Sequence, residues 1–144
     1  MNSGRTVNFY VDSSCLVRAI TGDGPLLPGW SYWERAFASE LVRVEVRRSL
    51  FRVHEQSHMS VEDVAEGWTK LAAIEATIEW LPVAPTVLAM AAQRTAMALK
   101  TLDALHLATA RIVRDLFVPD LVFATHDRQL GTAAATFGFD VSGL

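Results

Sequence analysis

The sequence has a single cysteine, no long apolar run and no excess of basic residues, and each lack closes off a class of protein. Cys15 stands alone, so no internal disulfide can form; a disulfide scaffold is excluded, and a reducing, cytoplasmic location is expected. The longest stretch without charge or strong polarity, Trp80 to Ala92, contains Pro82 and Pro85 and falls short of the roughly 20 apolar residues that a membrane-spanning helix needs. Near the N-terminus, Arg5 is followed only by Val7 to Val11 before Asp12 interrupts, which is too little for an export signal. Thirteen basic residues against sixteen acidic ones give a net charge of −3. That balance argues against a protein that coats nucleic acid through a uniformly basic surface. What is present, 144 residues with 51% hydrophobic and 20% charged content, reads as one globular domain over residues 1–144.

Periodicity supplies the elements. Val7, Phe9 and Val11 alternate with polar partners, predicting a strand from near Thr6 to Asp12. Ser13 or Ser14 is placed to cap a helix over Cys15 to Ile20, closed by the glycine-rich turn Gly22 to Pro25. A second strand is predicted over Ala36 to Ala38, then a helix from Ser39 to Gln56 with Val42, Val46, Leu50 and Val53 on its apolar side. Ser60 with Asp63 has the form of a capping box, and Val61, Val64, Trp68, Leu71 and Ile78 recur at helical spacing. A strand follows at Trp80 to Val83, then helices over Pro85 to Leu99 and Thr101 to Leu116, with Met90 and Met97 spaced to form a seam on the first. The apolar run Leu121 to Ala124 reads as a buried strand, Arg128 to Thr136 as a helix stopped by Gly138, and Phe139 to Val141 as an edge strand. Strands alternating with helices predict an α/β three-layer sandwich, a mostly parallel sheet flanked by helices.

Four carboxylates lie at element ends or among apolar neighbours, where charge is costly. Asp12 ends the first strand, Glu45 lies in a Val-rich helix, Asp103 stands between Leu102 and Leu105, and Asp127 follows the late apolar strand. In parallel α/β sheets, ligands bind beyond the carboxyl ends of strands where the strand order reverses. Clustered carboxylates repel one another without a cation, and an all-oxygen site favours Mg²⁺ or Mn²⁺, which suits phosphoryl chemistry. Each acid also has an ordinary alternative: Asp12 capping a helix, Asp103 favoured by the helix dipole, Asp127 making an Asx-turn.

The runs Tyr10-Val11-Asp12-Ser13-Ser14, Ser39 to Arg48, Leu102-Asp103-Ala104-Leu105-His106-Leu107-Ala108-Thr109-Ala110 and Thr125-His126-Asp127-Arg128 resemble, in order and spacing, the PIN-domain ribonucleases of the VapC toxin type. The resemblance implies a PIN fold, Mg²⁺- or Mn²⁺-dependent RNA cleavage, a cognate antitoxin and a homodimer. It places metal-binding acids at Asp12, Glu45, Asp103 and Asp127, with Ser13 and Thr125 as supporting hydroxyls, and picks Glu45 over Glu40 because the acid precedes the Arg-rich half of its helix. The segment Gly22 to Trp33 departs from the pattern, being short and rich in Gly and Pro where relatives carry a longer helix.

Other motifs compete for attention. Arg43, Arg47, Arg48 and Arg52 form helical ridges that either pair with Glu40, Glu45 and Glu55 as a solvated face or, at Arg48 and Arg52, meet substrate phosphates. His54-Glu55-Gln56-Ser57-His58 matches the zinc-peptidase pattern, with Glu75 or Glu79 as third ligand; its position at a fraying helix end argues against it. His106 is placed to orient a carboxylate or sit in the core, His126 to flank the site, and Trp30 and Trp33 to fill core or interface, or to stack on bases. A non-catalytic partner-binding module is the remaining alternative. A phosphoacceptor receiver is disfavoured because neither lysine, Lys70 or Lys100, follows a late strand.

Overall fold

The computed structural model describes residues 7–30 and 32–144; the expected strand start near Thr6 lies outside them. Five strands, β1 (Asn8–Val11), β2 (Arg35–Ser39), β3 (Ile78–Leu81), β4 (Val122–Ala124) and β5 (Val141–Ser142), form one sheet in the order β3-β2-β1-β4-β5. Every pairing is parallel. The helices are α1 (Ser13–Thr21), α2 (Leu41–Ser57), α3 (Val61–Glu75), α4 (Pro85–Ala91), α5 (Thr101–Leu116) and α6 (Arg128–Thr136).

The period of two along the strands separates two cores. Phe9 and Val11 of β1, with Ala36 and Ala38 of β2, pack with Leu16, Val42, Val46, Leu50 and Leu71 from α1, α2 and α3. Tyr10, Phe37 and Phe123 point the other way, to Leu107, Ala110, Val113, Leu130 and Ala134 of α5 and α6. Both faces are covered, as parallel sheets require. Trp30 and Trp33 pack edge to face at 5.0 Å against the first core, so the described residues of the short Gly22 to Trp33 segment are anchored, with Leu27 buried among them.

Several expected boundaries move, and the edge strand is Val141–Ser142 rather than Phe139 to Val141. Ile78 belongs to β3 and pairs with Ala36 rather than extending α3, because the backbone turns at Ala76 and Thr77, where Thr77 N–H and hydroxyl both donate to the Ile74 carbonyl; β3 starts two residues early for the same reason. The helix from Pro85 ends at Ala91, so Met90 and Met97 share no helical seam. The Thr95 hydroxyl donates to the Met97 carbonyl, a local bond that competes with helix, and Lys100 is extended where α5 begins. Ser13 and Ser14 lie inside α1, whose N-cap is Asp12, without a side-chain cap. Ser60 caps α3 through the Asp63 N–H, as expected.

The chain order around β1 reverses between β1 and β4, and their carboxyl ends lie side by side in register, Val11 opposite Ala124. β5 braces that edge: Thr125 N–H donates to the Ser142 carbonyl. Gly143, at φ +107, lies so close that a Cβ would sit 2.4 Å from the Thr125 carbonyl oxygen. Gly143→Ala is therefore expected to lower the melting temperature far more than Gly22→Ala, which shares a positive φ of 69 but meets nothing within 4 Å and costs about 1 kcal/mol. Equal melting losses in thermal denaturation contradict this close packing.

Candidate active site

Pairing of β1 with β4 brings the residues just beyond them together. Asp12 N–H donates to the Ala124 carbonyl at 3.0 Å, and the Asp12 side chain is 5% exposed. A carboxylate so buried needs donors, and three hydroxyls supply them: Ser13 at 3.2 Å to Oδ1, and Ser14 at 2.8 Å and Thr125 at 2.6 Å to Oδ2. The loop after β4 is tied into the same network. Thr125 Oγ1 accepts from the Asp127 N–H at 2.9 Å, and Ser14 Oγ accepts from the His126 N–H at 2.9 Å. Asp12 therefore spends its oxygens on hydroxyls rather than on capping α1.

Asp127 is exposed and caps α6, its Oδ1 accepting from Leu130 N–H at 3.0 Å. Asp103 is half-buried in the first turn of α5. Burial, then the charges of Asp127 and Asp12, push its carboxyl above the ordinary aspartate range; Glu45 adds to this, and His106 partly offsets it. Asp12, Glu45 and Asp127 thus each act on Asp103. Among the described residues, no three acidic, histidine or cysteine side chains close on a common ion position; the acids share a field before they share a coordination sphere.

Glu45 is reached through a relay that sequence reasoning did not predict as a unit. His106 is 1% exposed, and its Nε2 is hydrogen-bonded to Glu45 Oε1. Its Nδ1 lies 2.8 Å from Tyr10 Oη, which accepts from the Ser39 N–H at 3.2 Å. Burial works against a charged His106, but the hydrogen bond and charge of Glu45, with Asp12 and Asp103 behind it, outweigh burial and raise its pKa. Burial drives the Tyr10 hydroxyl well upward, so it stays protonated as a link in the chain. The only sequence hint was that His106 follows Asp103 by nearly one helical turn.

The basic run resolves into different roles. Arg43 and Arg47 pair with the nearly buried Glu75 of α3, at 3.2 and 2.7 Å, rather than with Glu40, Glu45 or Glu55. Arg48 is exposed, and Arg52 donates to Ser49 Oγ at 3.2 Å. The zinc-peptidase spacing does not survive folding. His58 leaves α2 in the left-handed region at φ 49, so it no longer stacks one turn beyond His54, whose ring packs on Trp68. Glu75 and Glu79 are engaged with arginines.

The PIN domain family model matches residues 9–135, and the chain belongs to that family, whose members are metal-dependent nucleases. The family supports a nuclease, hence hydrolase, activity, and PIN domains generally use divalent metal ions. The crystal structure of PAE2754 from Pyrobaculum aerophilum is similar in fold, with a TM-score of 0.61 and 22% identity over 94% of this chain and 83% of that one. No curated protein matches the chain, and no helix among the described residues is long and apolar enough to cross a membrane.

The donor set fits a hard divalent cation: it is all oxygen, and the charges of Asp127, Asp12 and Glu45 add to burial in holding the Asp103 carboxyl up. Because folding holds Asp103 above its unfolded value of about 3.8, its stabilising contribution is complete below that pH and is lost as pH rises through the folded value. Metal-free Asp103→Asn is therefore expected to melt above wild type at pH 7, with the gap closing toward pH 4. Added Mn²⁺ is expected to stabilise wild type more than the variant. Scanning fluorimetry across this range checks it; a variant melting below wild type at neutral pH contradicts the shared field.

Proposed function

We propose that this chain is an endoribonuclease of the VapC toxin type that uses Mg²⁺ or Mn²⁺ held by Asp12, Glu45, Asp103 and Asp127. The observation that carries the reading is the convergence of Asp12, Glu45 and Asp127 on Asp103 at the reversal in strand order, where burial first and then their charges raise the Asp103 carboxyl. A divalent ion bound there supplies Lewis-acid polarisation of the phosphodiester and lowers the pKa of the attacking water.

The chain's own residues set the conditions for that chemistry. The Ser13, Ser14 and Thr125 hydroxyls fix both oxygens of Asp12, so the carboxylate is oriented before substrate arrives and loses little freedom on binding. The Tyr10–His106 relay holds Glu45 across the site from α5. Asp127 keeps one oxygen on the α6 N-terminus, which fixes the direction of the other.

A toxin of this type requires a cognate antitoxin, and the acidic cleft is suited to an inserted Arg or Lys that blocks metal and substrate together. A homodimer in the cytoplasm completes the reading. Support for the dimer is the exposure of apolar side chains on α4 and α5, Leu88 at 50% and Leu102 at 45%.

Purified chain incubated with structured RNA is expected to cleave it only with Mn²⁺ or Mg²⁺, and Asp12→Asn is expected to abolish cleavage while keeping the fold. Wild-type rates in Asp12→Asn would overturn the assignment of this acid. Growth arrest on expression, relieved by a copurifying basic-tailed partner, supports the toxin role; harmless expression without such a partner removes that role and leaves the nuclease.

The paired substitution His54→Ala with His58→Ala is expected to retain full metal-dependent cleavage, because neither imidazole lies in the network around Asp12. Stoichiometric zinc in purified protein that disappears in this variant would restore the peptidase reading.

A further inference from the structure

Resting on the ribonuclease reading, we propose that Arg18 and Ser49 form a subsite for the phosphate next to the one that is cut, so that the enzyme favours substrates with more than one internucleotide phosphate. Ser14 and Arg18 are four residues apart on α1 and share a face, with Arg18 just over one turn, about 6 Å, beyond the residue whose hydroxyl holds Asp12. That advance is of the order of the spacing between successive phosphates on a strand. A polar cleft of about 300 Å³ opens along this line, walled by Ser13, Ser14, Arg18, Ser49 and His126, with Asp23 also lining it.

Within that cleft the guanidinium is poorly satisfied. Arg18 Nη1 lies 3.0 Å from His126 Nδ1 and 3.4 Å from the Pro25 carbonyl oxygen. His126 Nδ1 also lies 2.7 Å from the Gly143 carbonyl, a contact that requires its N–H, so the same nitrogen has no lone pair for Arg18. Among the described residues no carboxylate forms an ion pair with Arg18. Across the cleft, Ser49 Oγ accepts from Arg52 at 3.2 Å, and its own hydrogen has no acceptor among the described residues. A diester phosphate supplies what both walls lack: two anionic oxygens for a planar guanidinium and a hydroxyl donor. Burial chiefly raises the Cys15 thiol pKa, with Asp12 raising and Arg18 lowering it, which sets the two charges around one stretch of α1.

Arg18 would bind the substrate away from the scissile bond, so the test separates affinity from chemistry. On RNA oligonucleotides, Arg18→Gln is expected to raise KM about tenfold with kcat changed less than about twofold. On a dinucleoside monophosphate, which carries only the scissile phosphate, it is expected to change nothing. In an Asp12→Asn background, anisotropy of fluorescein-labelled single-stranded RNA against KCl is expected to lose about 0.7 from the salt slope on Arg18→Gln, the share of one phosphate contact on a single strand. Arg18→Lys is expected to keep the slope.

Since Arg18 also touches the Pro25 loop, melting temperatures accompany each variant. Ser49→Glu, on the opposite wall and clear of that loop, is expected to raise KM for oligonucleotides as well. Unchanged KM and salt slope in both Arg18→Gln and Ser49→Glu, with wild type cleaving RNA, overturn the subsite and leave the nuclease standing. If wild type neither binds nor cleaves RNA with Mn²⁺, the nuclease reading falls and the subsite with it.

Discussion

A carboxylate buried at the junction of two parallel strands is the constraint on which the site depends. Asp12 is 5% exposed, and leaving such a group without partners costs several kcal/mol. The fold meets that cost with neutral donors. Ser13, Ser14 and Thr125 each give one hydroxyl, and no cation pairs with Asp12 among the described residues. Neutral donors satisfy the oxygens without cancelling the charge, so its field still reaches outward. A salt bridge at the same place would stabilise the fold and extinguish the site.

That choice propagates. With its charge uncancelled, Asp12 acts on Asp103, as do Asp127 and Glu45, and repulsion is built into the folded state. The surrounding structure has to hold these groups against it. Asp127 is tied to the α6 N-terminus, where the helix dipole favours a negative charge. Asp103 lies in the first turn of α5 and benefits in the same way. Glu45, past the first turn of α2, is instead held by His106. The capping and dipole readings of Asp103 and Asp127 are therefore not rivals of the acidic cluster. They are how the fold keeps like charges close at modest cost.

Legibility in the sequence divides along the reach of each interaction. The limits of α5 and α6 were read to the residue because their apolar spacing and the Asp127 cap are local signals. The all-parallel sheet followed from alternation of strands and helices. The four acids stand out in the sequence as charges at element ends or among apolar neighbours, a signal that each residue carries alone. What was not legible depends on distant pairing. Tyr10 reads as an outward alternating residue in a strand, yet it is fully buried and reaches His106, 96 positions later. Arg43 and Arg47 read as a solvated ridge, and their partner Glu75 comes from another helix. The missed end of α4 lies between these cases: Thr95 gave a local clue, but an apolar period with Met90 and Met97 masked it.

Distribution of cations explains how a chain of net charge −3 can serve a polyanion. Arg35, Arg43 and Arg47 are spent in ion pairs with Glu79 and Glu75. Arg18 and Arg52 are not, among the described residues, and both border the cleft that continues from Asp12, Arg52 through its bond to Ser49. At physiological ionic strength exposed charges more than about 8 Å apart are largely screened, so the distant acids that make the total negative do little at this surface. The local pattern governs: an acidic floor that needs a divalent cation, bordered along α1 and α2 by guanidiniums without carboxylate partners. Such a surface repels a phosphate chain at its centre and attracts it at the edge, and filling the centre with a cation removes the repulsion while leaving the attraction intact. Metal and nucleic acid binding are then coupled with positive sign by electrostatics alone, with no movement of the fold required.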